Sequence, residues 1–138
     1  MDRISNPSGG TRPDFYRFHQ GEKTLPFADA EYEARLTGLR TMMARNGIDA
    51  VVLTSMHNVA YYSGFLYCAF GRPYAQVVTA SDIVTFSAGI DAAQPWRRCY
   101  GDNITYTDWR RNNHWRAILS VTGKGKVIGF EGDHISVA

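Results

Sequence analysis

Hydrophobic residues recur at helical spacing in the second quarter of the chain. Its apolar positions are Tyr32, Leu36, Leu39 and Met43. Charged residues separate them, and this alternation predicts an amphipathic helix of about 17 residues. Asp29 is placed to cap the N-terminus of this helix, and Gly47 is placed for the left-handed residue that ends many helices.

Short apolar runs rich in β-branched residues follow this helix. Residues 48–54 are almost continuously apolar, which is typical of a strand covered on both faces. The same signals predict strands over residues 65–70, 74–79, 83–87, 104–107 and 126–130. Short turns join some of these runs and helical segments join others. The pattern therefore predicts an α/β fold, with a mixed β-sheet of about five or six strands flanked by helices.

A second amphipathic helix is predicted in the last third of the chain. Asp108 is placed as its N-cap, and Trp115, Ile118 and Leu119 follow one face. We expect this apolar face to pack on the sheet.

The two ends of the chain lack the regular pattern of the middle. Residues 1–26 contain three prolines and few aliphatic side chains, which predicts an irregular arm. We therefore divide the chain into an irregular arm over residues 1–27 and a domain over residues 28–138. Residues 130–138 have the pattern of a strand, a turn and the start of a helix, so we expect a further domain that this chain does not contain.

Composition excludes several classes of protein. With 44% hydrophobic and 20% charged residues, the chain is neither disordered nor collagen-like, and 138 residues suffice for one packed domain. No apolar run approaches the roughly 20 residues that span a bilayer, so we predict no membrane partner. The chain begins without a signal-peptide pattern, and it contains only two cysteines. Both observations predict a cytoplasmic protein.

Side chains that could carry catalysis are scattered along the chain. The four histidines are far apart, so neither catalytic residues nor a metal site is predicted here. Glu131, Asp133 and His134 form the one tight group of metal-ligand types. We favour a different interpretation, in which Asp133 caps a following helix and the other two side chains are solvated.

Tryptophans and arginines alternate between residues 96 and 116. Such a mixture can bind single-stranded nucleic acid, but acidic residues interrupt it and the net charge is only +2, so we predict no nucleic-acid partner. Contact patches between subunits or domains are rich in the same residue types. We therefore predict an interface that includes Trp96, Arg97, Arg98 and Trp109.

One arginine lies between a glycine and a proline, among aromatic residues. Pro73 disfavours a helix at Arg72, so this arginine is expected in an extended or turning segment. Its planar, always charged guanidinium suits a substrate carboxylate in a dry pocket. An ion pair with a carboxylate of its own domain suits it equally well, and physical reasoning alone leaves both alternatives open.

Several long strings of the sequence are similar to those of a known enzyme family. The most specific are TSMHNVAYYS at residues 54–63, FGRPYA at residues 70–75, QPWRR at residues 94–98 and YTDW at residues 106–109. These strings closely resemble the N-terminal domain of the creatinase (creatine amidinohydrolase) family. The looser frame GIDA followed by N-x-x-YY-x-GF resembles the wider pita-bread family of creatinases, prolidases and Xaa-Pro aminopeptidases.

The resemblance implies a mixed-sheet N-terminal domain that precedes a larger C-terminal pita-bread catalytic domain, which is absent from this chain. It implies a homodimer with active sites near the subunit boundary, and hydrolysis of creatine to sarcosine and urea without a metal or another cofactor. The family's catalytic residues lie in the C-terminal domain, so this chain alone would be inactive. Phe70 would pack on the substrate in the partner subunit's site, and Arg72 would bind the substrate carboxylate.

Two other functions are compatible with these strings. Gly64, in a Ser-Gly-Phe string, is equally typical of Xaa-Pro dipeptidases and aminopeptidases, which use two divalent metals in the C-terminal domain. Ala69 and Gln76 also depart from the creatinase strings, and these departures concern the substrate more than the fold. The other alternative is a non-catalytic binding or assembly domain.

Overall fold

The computed structural model describes residues 13–66, 71–91 and 94–135. Within them the chain forms six strands and four α-helices. These are β1 (Phe15–Arg17), α1 (Asp29–Arg45), β2 (Ala50–Leu53), α2 (Met56–Ser63), β3 (Ala75–Thr79), β4 (Ile83–Ala88), α3 (Gln94–Arg98), β5 (Asp102–Tyr106), α4 (Asn113–Thr122) and β6 (Ile128–Phe130). None of these helices combines the length and the apolar character needed to cross a membrane.

The six strands form one mixed sheet in the order β1-β5-β4-β3-β2-β6. β4 runs parallel to β5 and β2 runs parallel to β6, whereas the other neighbouring pairs are antiparallel. A tight turn joins β3 to β4, and in it Thr79 N donates a hydrogen bond of 2.9 Å to Asp82 O. The α/β class and the mixed sheet that the sequence predicts are confirmed.

Both faces of the central strands are covered. Val52 and Val77 are paired in the β2–β3 register and belong to the core on the α4 side, whereas the adjacent pair, Val51 and Val78, packs with α1 and α2. All four side chains are at most 6% exposed. This two-sided burial explains why these strands are almost continuously apolar in sequence instead of alternating.

The first helix has the predicted length and buried stripe. α1 contains 17 residues, and its four predicted apolar positions are all buried. Gly47 follows the helix with a φ of 64°, as predicted. The predicted cap is wrong, because Ala28 is the N-cap. Asp29 lies in the first turn, where the positive end of the helix dipole stabilises its negative charge.

The last helix begins later and is rotated relative to the prediction. α4 begins at Asn113, so Asp108 is not its N-cap. Two of the three side chains predicted to be buried, Trp115 and Leu119, are 48% and 45% exposed. The physical reason is local, since the Asn113 amide donates a hydrogen bond of 2.9 Å to the Thr107 carbonyl and turns a polar side chain toward the sheet.

The N-terminal segment contains a strand that the sequence does not predict. β1 pairs with β5 at one edge of the sheet, with Phe15 opposite Tyr106. Phe15 is only 6% exposed and belongs to the same core cluster as Ile118. The prediction that residues 1–26 are irregular is therefore wrong for Phe15–Arg17, because a three-residue strand is too short to show a period of two.

Residues 65–70 are the other difference in strand content. Phe65 is buried, but neither it nor Leu66 is part of a strand, so the predicted strand is wrong at these two positions. Residues 67–70, which include the predicted site residue Phe70, lie outside the described residues. At the C-terminal end, the strand predicted over residues 126–130 begins at Ile128.

Replacing Phe15 tests whether the N-terminal segment belongs to the folded domain. Phe15→Ala removes a buried aromatic side chain and is expected to lower the free energy of unfolding by about 3 kcal/mol. Phe27→Ala is the matched control, because Phe27 is 51% exposed, and its expected cost is below about 1 kcal/mol. Urea denaturation of both variants measures the difference, and equal costs would contradict the assignment of β1 to the core.

Candidate functional site

The bend at Arg72 is built by its neighbours on both sides. Gly71 has a φ of 101°, which a residue with a side chain rarely adopts, and Pro73 restricts its own φ. The Tyr106 hydroxyl donates a hydrogen bond of 2.6 Å to the Pro73 carbonyl. Because Tyr106 lies in β5 and is only 3% exposed, the bend is tied to the core of the sheet.

The guanidinium of Arg72 forms an ion pair with Asp108. Both side chains are nearly half exposed, at 46% and 45%, and an exposed pair contributes at most about 1 kcal/mol. The ion pair is made through the Nη1 atom of the guanidinium, which carries five N–H donors in all. An ion pair of Arg72 with a carboxylate of its own domain, one of the two alternatives from the sequence, is therefore present. It is a weak ion pair, because both side chains are exposed.

Arg72 lies where two neighbouring clefts meet. The first cleft has a volume of about 260 Å³, and its lining includes Thr54, Arg72, Tyr74, His114, Trp115 and His134. The second cleft has a volume of about 440 Å³, and its lining includes Arg72, Asp108, Arg110, Arg111, Asn113 and His114. Arg72 and His114 thus border both clefts, and the second cleft has the size of a small-molecule site.

Burial makes His114 a neutral side chain. It is 6% exposed, and its ring packs edge-on against Tyr106 with the ring centroids 5.0 Å apart. Burial lowers the pKa of His114 to about 4, so the imidazole is uncharged near pH 7. His114 therefore supports the tyrosine that holds the Arg72 bend.

Glu131, which follows β6, binds the residues that lead into α2. The Glu131 carboxylate accepts hydrogen bonds from the backbone N–H groups of Thr54 at 2.5 Å and Ser55 at 2.8 Å. It also accepts from the Ser55 hydroxyl at 2.5 Å and from the side-chain amide of Asn58. The prediction that Glu131 is solvated is therefore wrong. The sequence shows a serine before α2, which indicates that backbone N–H groups there need hydrogen-bond acceptors. No local pattern shows that the acceptor is a glutamate 76 residues away.

These hydrogen bonds keep Glu131 ionised. Burial alone would raise the pKa of this carboxyl, but the hydrogen bonds from Ser55, Thr54 and Asn58 outweigh burial and lower the pKa to about 2. The ionised Glu131 side chain therefore links the residues after β6 to the β2–α2 connection through hydrogen bonds.

His134 is exposed, as expected, whereas Asp133 does not have the capping role expected of it. His134 Nδ1 lies 2.8 Å from the Thr54 hydroxyl, and Asp133 is exposed. Residues 132–134 form a turn in which His134 N donates to Glu131 O at 3.1 Å, so Asp133 caps no helix in the part of the chain that is described. Among residues 13–66, 71–91 and 94–135, no three His, Cys, Asp or Glu side chains are grouped to bind a metal ion.

Trp96 makes contacts within the chain, where it holds the N-terminal segment. Its indole N–H donates a hydrogen bond of 3.1 Å to Gly21 O, and its ring stacks on His19 with 4.1 Å between centroids. Lys23 Nζ lies 3.8 Å from the centroid of the same ring. The Arg97 carbonyl accepts a backbone hydrogen bond of 2.7 Å from the same segment.

The other predicted interface residues are Trp109 and Arg98. Trp109 is 41% exposed, and its indole N–H donates a hydrogen bond of 2.9 Å to Pro13 O. Arg98 is exposed on α3. Both tryptophans thus contact the N-terminal segment of their own chain, and an interface with another chain or domain stays a prediction.

A family model described as the creatinase/prolidase N-terminal domain matches residues 35–138. The chain belongs to this family. The family that the sequence strings predict is thereby confirmed, and the match spans the Arg72 bend, α4 and Glu131.

Two curated hydrolases are similar to this domain in sequence. Creatinase from Bacillus sp. (strain B-0618) is 49% identical over 122 residues, which are 85% of this chain and 30% of that enzyme. Ectoine hydrolase from Halomonas elongata is 34% identical over 86 residues, which are 60% of this chain and 22% of that enzyme. The chain spans less than a third of the length of either relative.

Solved structures share the fold. The creatinase/prolidase N-terminal domain of an X-Pro dipeptidase from Streptococcus pyogenes matches with a TM-score of 0.65 and 22% identity, covering 75% of this chain and 80% of that chain. The prolidase from Pyrococcus horikoshii OT3 matches with a TM-score of 0.58 and 16% identity, covering 74% of this chain and 27% of that chain. At these identities the likeness establishes the fold and not the substrate.

The Glu131 network predicts a specific loss of stability in acid. Because its folded pKa of about 2 lies below the ordinary value of 4.5, the carboxylate stabilises the fold above about pH 4.5, and this contribution is lost as the pH falls toward 2. Glu131→Gln is therefore expected to be less stable than the unchanged chain near neutral pH, with the difference disappearing in acid.

Urea denaturation at a series of pH values measures this difference. Asp133→Asn is the matched control, because Asp133 lies in the same turn and is exposed. A constant difference between Glu131→Gln and the unchanged chain at every pH would contradict the assigned role of Glu131.

Proposed function

We propose that this chain is the N-terminal domain of a creatinase-like hydrolase, which converts creatine and water to sarcosine and urea. The 49% identity with creatinase over 85% of the chain carries the proposal. The dipeptidase and prolidase described above are only 22% and 16% identical. Sequence similarity therefore favours the creatinase reaction over peptide cleavage.

In this proposal Arg72 binds the carboxylate of creatine, and Phe70 packs on the substrate beside it. The Arg72 guanidinium is half exposed, and its bend is anchored by Tyr106. A bidentate contact with a carboxylate in a dry pocket is stronger than the exposed pair with Asp108. Exchange of Asp108 for a substrate carboxylate is therefore favourable.

The chain acts in this proposal as a capping and dimerisation domain. The catalytic residues are assigned to a larger C-terminal domain, so the isolated chain is inactive. Arg72 reaches the active site of the partner subunit in a homodimer, and exposed residues such as Arg98 contribute to the subunit or domain contact. The reaction is cytoplasmic and uses no metal or other cofactor.

Ectoine hydrolysis is the second candidate, because ectoine hydrolase is 34% identical to 60% of this chain. Creatine and ectoine both combine a carboxylate with a carbon atom bonded to at least two nitrogen atoms. An arginine at the position of Arg72 serves either substrate. A two-metal Xaa-Pro dipeptidase or aminopeptidase and a non-catalytic binding domain are the remaining alternatives.

The full-length protein distinguishes these functions in one set of assays. Creatine, ectoine and Xaa-Pro dipeptides are offered in turn, each with and without a metal chelator. We expect urea release from creatine that the chelator does not change. Turnover of ectoine supports the second candidate, peptide cleavage that the chelator stops overturns the metal-free reaction, and no turnover of any substrate indicates a binding domain.

Replacing Arg72 tests its contact with the substrate. Arg72→Ala in the full-length protein removes a charge-assisted contact worth about 2–3 kcal/mol, so kcat/KM for creatine is expected to fall about 30- to 150-fold. Arg45→Ala is the control, because Arg45 is an exposed arginine at the end of α1. Steady-state kinetics measure the effect, and unchanged kcat/KM in Arg72→Ala would remove this residue from the site.

Asp108→Asn separates the two roles that sequence reasoning leaves open for Arg72. If Arg72 binds substrate, losing the exposed ion pair alone changes kcat/KM by less than about fivefold. If Arg72 serves only its own domain, Asp108→Asn and Arg72→Ala lower kcat/KM by the same factor. The ratio of the two effects is therefore the measurement that decides.

A further inference from the structure

An apolar groove lies between α4 and β6, away from the Arg72 bend. We call it the α4–β6 groove, and its lining consists of Val52, Trp115, Ile118, Leu119, Thr122, Gly123, Ile128 and Phe130. Its volume is about 290 Å³, and none of the described residues that line it carries a charge. The groove therefore has the chemistry of a hydrophobic contact surface and not of a site for a charged ligand.

The walls of the groove expose large hydrophobic side chains. Trp115 and Leu119 on α4 and Phe130 on β6 are each about half exposed. Three large side chains in this state leave roughly 300 Å² of apolar surface in one place. Apolar surface that is gathered in a patch, instead of being scattered singly, marks a site of contact with another protein surface.

The helix that forms one wall has apolar side chains on two flanks. Ala117 and Ile118 are buried and belong to the core that packs on the sheet. Trp115 and Leu119 are four residues apart, so they are neighbours in a second row on the helix surface. A helix that buries one apolar row and exposes another has the pattern of an element that packs between two bodies.

The other wall belongs to an edge of the sheet. β6 pairs with β2, and no described strand lies on its other side. Ile128 and Phe130 are two residues apart, so they point to the same face of the sheet. Ile128 packs against the core that contains Ile118, whereas Phe130 stays exposed. Edge strands of this kind are commonly covered by another element.

The chain leaves β6 beside this groove. Glu131 follows Phe130 directly, and its carboxylate holds the next turn against the start of α2. Ile135, the last residue described, lines the first cleft together with Trp115. Trp115 therefore borders both the α4–β6 groove and the segment along which the chain continues.

The exposed area favours an occupant on the same polypeptide over a second copy of this domain. A stable dimer buries about 800 Å² on each partner, and the groove offers less than half of that. A covalently joined domain needs less contact area, because the link keeps its effective concentration high. This chain spans only 30% of the length of its creatinase relative, so a protein of that length has a large remainder.

We propose that the α4–β6 groove is the surface on which the C-terminal domain of the same polypeptide docks, through apolar side chains that pack between Trp115, Leu119 and Phe130. The proposal rests on the proposed function in one respect, since it requires the larger C-terminal domain of a creatinase-like protein. It adds the contact that fixes the two domains of one subunit relative to each other. A fixed orientation is needed if Arg72 is to reach the partner subunit's active site in a defined position.

Thiol labelling of the full-length protein tests whether the groove is covered. Leu119→Cys and Phe130→Cys place one thiol on each wall. Met42→Cys is the matched control, because Met42 is 41% exposed on α1 and, like Leu119, lies three residues before the end of its helix. Maleimide labelling of each thiol is compared with labelling of the same variant in urea, and peptide mass spectrometry separates the introduced thiols from Cys68 and Cys99.

The two thiols in the groove are expected to be protected at least about tenfold in the folded protein, because a covered side chain reacts only when the contact opens. The control thiol is expected to be protected less than that. Circular dichroism verifies that each variant is folded, and the second wall provides a probe if one variant is not. Rapid labelling on both walls would overturn the docking surface.

A photo-cross-linker in place of Phe130 identifies what covers the groove. p-Benzoylphenylalanine at this position of the full-length protein is expected to form a cross-link at the mass of one chain, to a peptide beyond residue 138. A cross-link at twice that mass would show that a second subunit occupies the groove, and would overturn docking within one chain. Neither measurement uses a substrate, so failure of this surface and failure of creatine hydrolysis are separate outcomes.

Discussion

Burial of the central strands on both faces is the constraint on which the rest of the structure depends. Val51 and Val52 are neighbours in β2, yet they belong to cores on opposite sides of the sheet. Because neither face can be left in water, α1 and α2 must cover one side and α4 the other. This layering brings the end of β2 and the start of α4 to the same place, where the Arg72 bend and the two clefts are found.

Polar side chains from distant parts of the chain then hold the loops around those clefts. Tyr106 binds the Pro73 carbonyl from within β5, and Glu131 binds the start of α2 from beyond β6. Each replaces the water that a loop backbone would otherwise bind, and each fixes a loop position through a residue distant in sequence. The domain can therefore present Arg72 in a defined position although its side chain is half exposed.

The elements that the sequence predicts well are those whose burial shows in a local pattern. α1 shows its stripe at every turn, and β2, β3 and β4 show apolar runs bounded by turns, so all four were predictable. β1 is too short to show a pattern. In α4, Trp115 and Leu119 are apolar and Asn113 is polar, so hydrophobicity alone predicts the wrong buried face. Hydrogen bonds from the Asn113 amide to the Thr107 carbonyl and hydroxyl hold this polar side chain in a buried position. For the site, the Gly-Arg-Pro string identifies the bend, but no local pattern identifies Asp108 or His114 as its neighbours. Nor does any local pattern identify Glu131 as the residue that binds Thr54 and Ser55.

The sequence by itself determined the α/β class, the family and the arginine on which the proposed function depends, because each of these is written in contiguous residues. Only the tertiary structure decided which partners those residues have. Arg72 pairs with Asp108, and Glu131 binds the residues that lead into α2. The tryptophans predicted to face another chain or domain hold the N-terminal segment of their own chain. These contacts join residues far apart in the chain, and their energies depend on burial and geometry that arise only when the layers of the fold come together.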